Sequence, residues 1–396
     1  MPTLLSRSDL VRRYLWLFGA SCALLAGAIA ALNYVVDPYL IHQWDNPRVQ
    51  RLRPTREQLS VWGKTYAIAR WRPDVLYLGN SRTELGLPAT VPQFAGRRVF
   101  NAALAGSSIG DAIALAAFAA RQQPLHTVVW GLDLPTFTTE RHWPELDGEL
   151  TAPGPFFFGR RALLDVKRGL NFAFTRDSVA VLAGRFGAVC QSSLVFYGQR
   201  DPTCMAHRVA ELGGSGAVMA VRLRDFIRNG GPSPAAHRAF DASVGAMCRA
   251  GTRVRLYLNP SHALTLDGWY WAGKWTVLEQ WESRLAADTA RLRVAGCDIR
   301  LLDFSGYNSV TTESIPAVSG RSDMRNYWEA SHYRDNVGRW ILARLFGGAG
   351  AAPPDFGIVL TPAMLPDHLR TLRAARDRYH AEHAVETALV RAIAQE

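Results

Sequence analysis

A serine, an imidazole and a carboxylate can pass a proton among themselves when the fold brings their side chains together. The chain offers one such set in Ser81, His332 and Glu329. Ser81 sits in Gly79-Asn80-Ser81-Arg82, directly after the apolar run VLYL. A serine hydroxyl becomes nucleophilic when a base within hydrogen-bond reach takes its proton and a third group orients that base. Glu329 and His332 stand three residues apart, a spacing that puts both on one face of a helical turn. There the carboxylate would hold the imidazole tautomer and stabilise its charged form, and His332 would take the Ser81 proton. The competing reading is structural, because Asn and Ser are also favoured helix caps.

Two further turns carry short polar groups. Asn101-Ala102-Ala103-Leu104-Ala105-Gly106-Ser107 follows the second apolar run and Gly131-Leu132-Asp133 the third. Backbone N–H groups at Ser81 and Gly106 are candidate oxyanion donors, with Asn80 or Asn101 as side-chain donors. Asp133, once ionised, can only accept hydrogen bonds, and is expected among the substrate-binding residues. Arg82 would pair with a substrate carboxylate. His262 follows Asn259-Pro260-Ser261 at another strand end and is expected to line the site. Trp271 belongs to an aromatic run with Trp269, Tyr270, Trp275 and Trp281 that either stacks on sugar rings, packs the interior or sits at a membrane interface. No Walker A, Rossmann, lipase-type elbow or zinc-finger spacing occurs, so no cofactor and no metal is expected.

Elements of particular kinds must hold these residues. WRPDVLYLGNS, RRVFN, HTVVWGLDLP, TRVRLYLNP and CDIRLLDFS read as buried strands ending in turns. Between them lie helical stretches such as IGDAIALAAFAARQ, residues 235–250 and TVLEQWESRLAADTARLR. That alternation predicts an α/β domain, a parallel sheet with helices on both faces, over residues 71–345. Residues 139–234 are expected as a largely helical insertion. Residues 346–396 follow as a short strand, FGIVL, and one helix from about 364 to 394, with the last helix of the main unit opening at Trp328. In sheets of this class ligands bind beyond the carboxyl ends of the strands, where all four polar turns would meet.

GNSR after a strand, a downstream Asn/Ala/Gly turn, a third turn after VVWGLD and a late acid-x-x-His resemble the block order of the SGNH hydrolase superfamily. The likeness covers about residues 71–345 and is nearest to the membrane-anchored periplasmic branch that includes alginate O-acetyltransferases. It implies a flavodoxin-like, doubly wound sheet, Ser81 as nucleophile, His332 as base, Glu329 as orienting acid and Gly106 as an oxyanion donor. Two positions depart from the family pattern. Glu329 stands where the family has Asp, and Asp133 where it has an asparagine donor.

From Tyr14 to Val36 the chain runs 23 residues without a formal charge, preceded by Arg7, Arg12 and Arg13. At about 1.5 Å per residue this spans a bilayer core, and the positive-inside rule leaves residues 1–13 in the cytoplasm. A cleaved signal peptide is the alternative, and either way the rest is exported. Residues 37–70 would form a stalk, with Arg48, Arg51 and Arg53 near the membrane surface. Five cysteines are present, and outside the span Cys190, Cys204, Cys248 and Cys297 allow three pairings, with Cys190 to Cys204 the expected short loop.

The 396 residues are 48% hydrophobic, which excludes disordered and collagen-like classes. The net charge of +11, almost all arginine, asks for an anionic partner. Export and dispersed charge argue against nucleic acid. The expected partners are the inner membrane through residues 14–36, an acylated polysaccharide or acyl donor, and a membrane acyltransferase. The function expected is a single-pass bacterial inner-membrane esterase or O-acetyltransferase with its domain in the periplasm. A non-catalytic polysaccharide-binding or assembly protein is the second class.

Overall fold

Short β-branched and aromatic runs buried on both sides form parallel strands. In the computed structural model five such runs lie side by side. The structure describes residues 7–42, 57–138, 140, 143, 146, 151, 156–183, 197–227, 232–316, 323–347 and 352–395. Arg48, Arg51, Arg53 and the Cys190 to Cys204 pairing fall outside these residues. The described chain is α/β with one six-stranded sheet and fourteen α-helices.

In chain order the elements are α1 (Arg7–Val36), α2 (Glu57–Trp71), β1 (Val75–Leu78), α3 (Ser81–Gly86), β2 (Val99–Asn101), α4 (Ile109–Gln122) and β3 (Thr127–Leu132). Next come α5 (Phe157–Gly169), α6 (Phe172–Leu182), α7 (Pro202–Glu211), α8 (Ser215–Ile227) and α9 (Pro234–Arg249). β4 (Arg253–Leu258), α10 (Ala263–Trp271), α11 (Trp275–Val294) and β5 (Ile299–Asp303) precede α12 (Asp335–Phe346), β6 (Ile358–Val359), α13 (Leu365–Glu382) and α14 (Ala384–Gln395). The sheet order is β2-β1-β3-β4-β5-β6, parallel except for β6. Leu78, Leu132 and Leu258 end neighbouring strands, so the turns that follow them emerge at one edge of the sheet.

The chain divides into two compact units. The smaller comprises residues 1–55 and 153–188, the larger residues 56–152 and 189–396, so the segment expected as one insertion is shared between them. In the smaller unit, α1 is 30 residues long with a mean hydropathy of 2.1, long and apolar enough to cross a membrane, and its apolar stretch is exposed. Its C-terminal end is fastened within that unit, Asn33 Nδ2 donating to Gly169 O at 2.8 Å and to Thr175 Oγ1 at 3.0 Å, and Tyr39 to the Asp177 carboxylate.

In the larger unit the sheet carries the core, with Val75, Tyr77, Val129, Tyr257 and Leu302 all buried. Ser108 starts α4 with a reciprocal capping box to Asp111. A disulfide joins Cys248 to Cys297, tying the end of α9 to the approach to β5. Two expectations differ. The C-terminal helix is two helices, broken at His383. The segment from Trp328 is a loop, and α12 begins only at Asp335.

Candidate active site

Three strand ends and one loop supply the site. Ser81 opens α3, the six-residue helix after β1, and Asn80 caps it by accepting from Arg82 N at 3.0 Å. Ser81 Oγ lies 2.7 Å from His332 Nε2, and His332 Nδ1 is hydrogen-bonded to Glu329 Oε1. Glu329 is fully buried and His332 only 6% exposed, whereas Ser81 is partly open to solvent. An ionised carboxylate accepts only, so Nδ1 donates to Glu329, and in the neutral ring Nε2 then presents its lone pair to the serine hydroxyl. That is the protonation state a general base requires.

Glu329 and His332 do not meet on a helical face. Tyr327 and Tyr333 pair across an isolated antiparallel bridge, and Trp328 N donates to His332 O at 2.8 Å, which folds the loop back on itself. Tertiary bonds override a helix there. Tyr327 OH donates to Pro260 O at 3.0 Å, and Ala330 O accepts from His262 N and from Thr265 Oγ1, each at 3.0 Å. Ser331, missed in the sequence, adds its N–H to Glu329 Oε2 at 3.1 Å and its hydroxyl 3.1 Å from His332 Nδ1.

Asp133 is a hub. Its carboxylate accepts from Arg82 Nη1, from Asn80 Nδ2 at 2.8 Å and from Asn259 Nδ2 at 2.8 Å. From there a chain of hydroxyls closes a circuit under α3. Tyr333 OH donates to Asn259 Oδ1 at 3.1 Å, Tyr257 OH lies 3.1 Å from Tyr333 OH, and Thr83 Oγ1 lies 2.9 Å from Tyr257 OH. Burial raises the Tyr257 and Tyr333 phenols well above their ordinary range, so both stay protonated and able to donate. Asn259, Tyr257 and Tyr333 carried no signal beyond their places at or near strand and loop ends.

The remaining anchors of α3 come from elsewhere. Glu84, fully buried, accepts from Lys64 Nζ at 2.9 Å and Arg200 Nη2 at 2.9 Å. Burial pushes the Lys64 ammonium down to about 8, against the pull of Glu84. Gln199 Nε2 donates to Leu85 O at 2.9 Å.

Several expected site residues serve this scaffold. Asn101 spends both amide hydrogens on Thr83 O at 2.9 Å and Leu87 O at 3.0 Å, so it cannot donate to an oxyanion. Arg82 is buried against Asp133, and neither is a surface for substrate. His262 is buried with Nε2 2.7 Å from Glu313 O and caps α10. Trp271 packs against the His380 ring, 5.5 Å between centroids, and under the Arg391 guanidinium. Trp269, Trp275 and Trp281 are buried and pack the interior, while Tyr270 and Trp271 are half-buried against the His380 ring.

For an oxyanion there remain the Ser81 N–H at the start of α3 and the second Nδ2 hydrogen of Asn80. Gly106 lies exposed at φ +67° in a turn that is fastened to the Ser81 turn, because Leu104 N and Ser107 Oγ both donate to Gly79 O, at 3.1 and 3.0 Å. Gly79 itself, at φ +145°, needs to be glycine, since a Cβ would strike the Thr83 side chain.

Comparison with family models, with curated protein sequences and with solved structures finds no match to this chain.

Proposed function

We propose that the protein is a membrane-anchored, SGNH-type acyl esterase or O-acyltransferase acting in the periplasm on acylated cell-surface polysaccharide, possessing a Ser81/His332/Glu329 triad. The observation that carries this reading is the 2.7 Å approach of Ser81 Oγ to Nε2 of an imidazole whose Nδ1 is held by a buried carboxylate. The strand order β2-β1-β3-β4-β5, with polar turns at one edge, supports a doubly wound sheet of that family. The exposed apolar helix α1 supports a membrane anchor, and the Cys248–Cys297 disulfide supports an oxidising compartment.

In this reading Ser81 Oγ bonds to the acyl carbon while its proton passes to His332 Nε2. The carbonyl oxygen, now anionic, is held by the Ser81 N–H and the Asn80 amide. Collapse breaks the bond to the departing alcohol, which takes the proton from His332 and leaves an acyl-serine. Water, or a sugar hydroxyl, then gives its proton to His332 and attacks that ester, returning Ser81.

The test is labelling of the full-length protein in detergent by a fluorophosphonate, with p-nitrophenyl acetate turnover beside it. Ser81→Ala is expected to abolish the label and to lower turnover by at least about 10³-fold. Equal labelling and turnover in the variant would sink the proposal. Glycan binding that survives Ser81→Ala and His332→Ala, without any ester turnover, would point instead to a binding or assembly protein.

A further inference from the structure

A buried cluster outside the triad is the strongest unassigned feature of the larger unit. Glu282 on α11, Asp303 at the end of β5 and His368 in the first turn of α13 bring one ligand atom each within 4.8 Å of one another. Asp303 Oδ2 lies 2.9 Å from His368 Nε2, and Asp303 Oδ1 accepts from Ser305 N at 2.7 Å. Glu282 is fully buried, and neither of its carboxylate oxygens has a hydrogen-bond partner among the described residues.

Such a group is out of place in an apolar interior. An ionised carboxylate buried without a partner is strongly unfavourable. A protonated one still needs an acceptor for its O–H, and no side chain among the described residues hydrogen-bonds to it. Arg373 does not serve it either, being held by the nearby carboxylate Glu279 at 2.7 Å. One cation among the three side chains satisfies all of them at once.

We propose that Glu282, Asp303 and His368 form a structural site for a divalent transition-metal ion, with zinc the reference ion. An imidazole nitrogen with two carboxylate oxygens suits zinc or manganese and not calcium or magnesium, which take oxygen ligands. Ligand atoms sharing a four-coordinate zinc lie about 3–3.5 Å apart. The 2.9 Å between His368 Nε2 and Asp303 Oδ2 is near that range, and a Glu282 oxygen within 4.8 Å of both would close in on binding. His368 would bind through Nε2, with its hydrogen on Nδ1. The ion would tie α11, the end of β5 and α13 at one point, holding α13 against the sheet. The sequence gives no short motif because the three ligands come from three separate elements. This inference does not depend on the Ser81 chemistry.

The test uses the full-length protein in detergent, stripped with a chelator and then titrated with zinc chloride. Metal analysis is expected to find one zinc per chain, with the melting midpoint rising by several degrees as the site fills. Cobalt(II) in place of zinc is expected to give visible absorption bands. Glu282→Gln preserves size and removes a ligand charge, so a variant folded by circular dichroism should bind zinc at least tenfold more weakly, as should His368→Ala. Absence of stoichiometric zinc with an unchanged midpoint would overturn the site. So would undiminished zinc binding in both variants, or a Glu282→Gln protein more stable than a metal-free parent that zinc leaves unaltered, the signature of a buried proton or water alone.

Discussion

Asp133 shows why a residue of the wrong type for one role can be right for another. Where an asparagine would donate to an oxyanion, this carboxylate accepts from Arg82, Asn80 and Asn259, and so fixes the turn that presents Ser81. Arg82 is 2% exposed, and removing its partner leaves a buried charge uncompensated. Asp133→Asn is therefore expected to destabilise the fold by about 3–5 kcal/mol, measured by urea denaturation. Combined with Arg82→Met the loss should be less than the sum of the two single changes, with a coupling of about 1–3 kcal/mol. Strict additivity would show that the pair does not act as a unit. Glu329 belongs to the same scale. Glu329→Gln would offer an N–H toward His332 Nδ1, favouring the tautomer whose Nε2 carries the hydrogen and cannot take the Ser81 proton. Turnover of p-nitrophenyl acetate should fall about 10²- to 10⁴-fold with KM little changed. A variant that kept full turnover would place the acid elsewhere.

A helix of six residues does not stand alone in water, so α3 has to be held by what surrounds it. Glu84 is gripped by Lys64 and Arg200, and the carbonyls of Thr83, Leu85 and Leu87 by Asn101 and Gln199. Its end at Gly86 is crossed by α12 at Gly338, where a Cβ would overlap the Gly86 carbonyl and reach Pro88 Cδ at 2.9 Å. Gly338→Ala is expected to destabilise by about 1–3 kcal/mol in thermal unfolding and to lower turnover through displacement of Ser81. Gly159→Ala, where nothing lies within 4 Å, should be neutral or slightly stabilising. These anchors mark the limit of what the sequence discloses. β1, β3, β4 and β5 were legible because VLYL, TVVWGL, RVRLYL and IRLLD are short apolar runs closed by turn residues, Ser81 because it stands beside such an end, and His332 because it follows Glu329 at acid-x-x-His spacing. The loop carrying Glu329 was not, since its shape is set by Tyr327 and Tyr333 bonding to Pro260 and Asn259 far away in sequence. Asn101, His262 and Trp271 had suitable chemistry but spend it on tertiary partners, which local pattern does not encode.

The molecule as a whole carries a charge of +11, yet many of its arginines are engaged at home, Arg253 and Arg255 on Asp298, Arg291 on Asp241 and Arg373 on Glu279. The surplus is thus less a single binding face than a scaffold of ion pairs with a basic remainder, and pH acts on that scaffold through groups that are buried uncharged. His262 is the clearest. Burial, the largest influence, holds its imidazole down to about 4, against the upward pull of the Glu313 carbonyl and the carboxylates of Glu386 and Glu329, with His383 adding to the depression. In the unfolded chain the same ring takes its proton near the ordinary value of 6.5. Between pH 6.5 and 4 the unfolded state therefore binds more protons, so the contribution of neutral His262 to stability is complete above pH 6.5 and is lost as the pH falls toward 4. From pH 7 to pH 5 the loss amounts to on the order of 2 kcal/mol. His262→Asn keeps a side-chain oxygen to cap α10 but does not titrate. Urea denaturation at the two pH values should give a visibly shallower decline for the variant, whatever its absolute stability, and parallel declines would mean that His262 is not the group acid attacks.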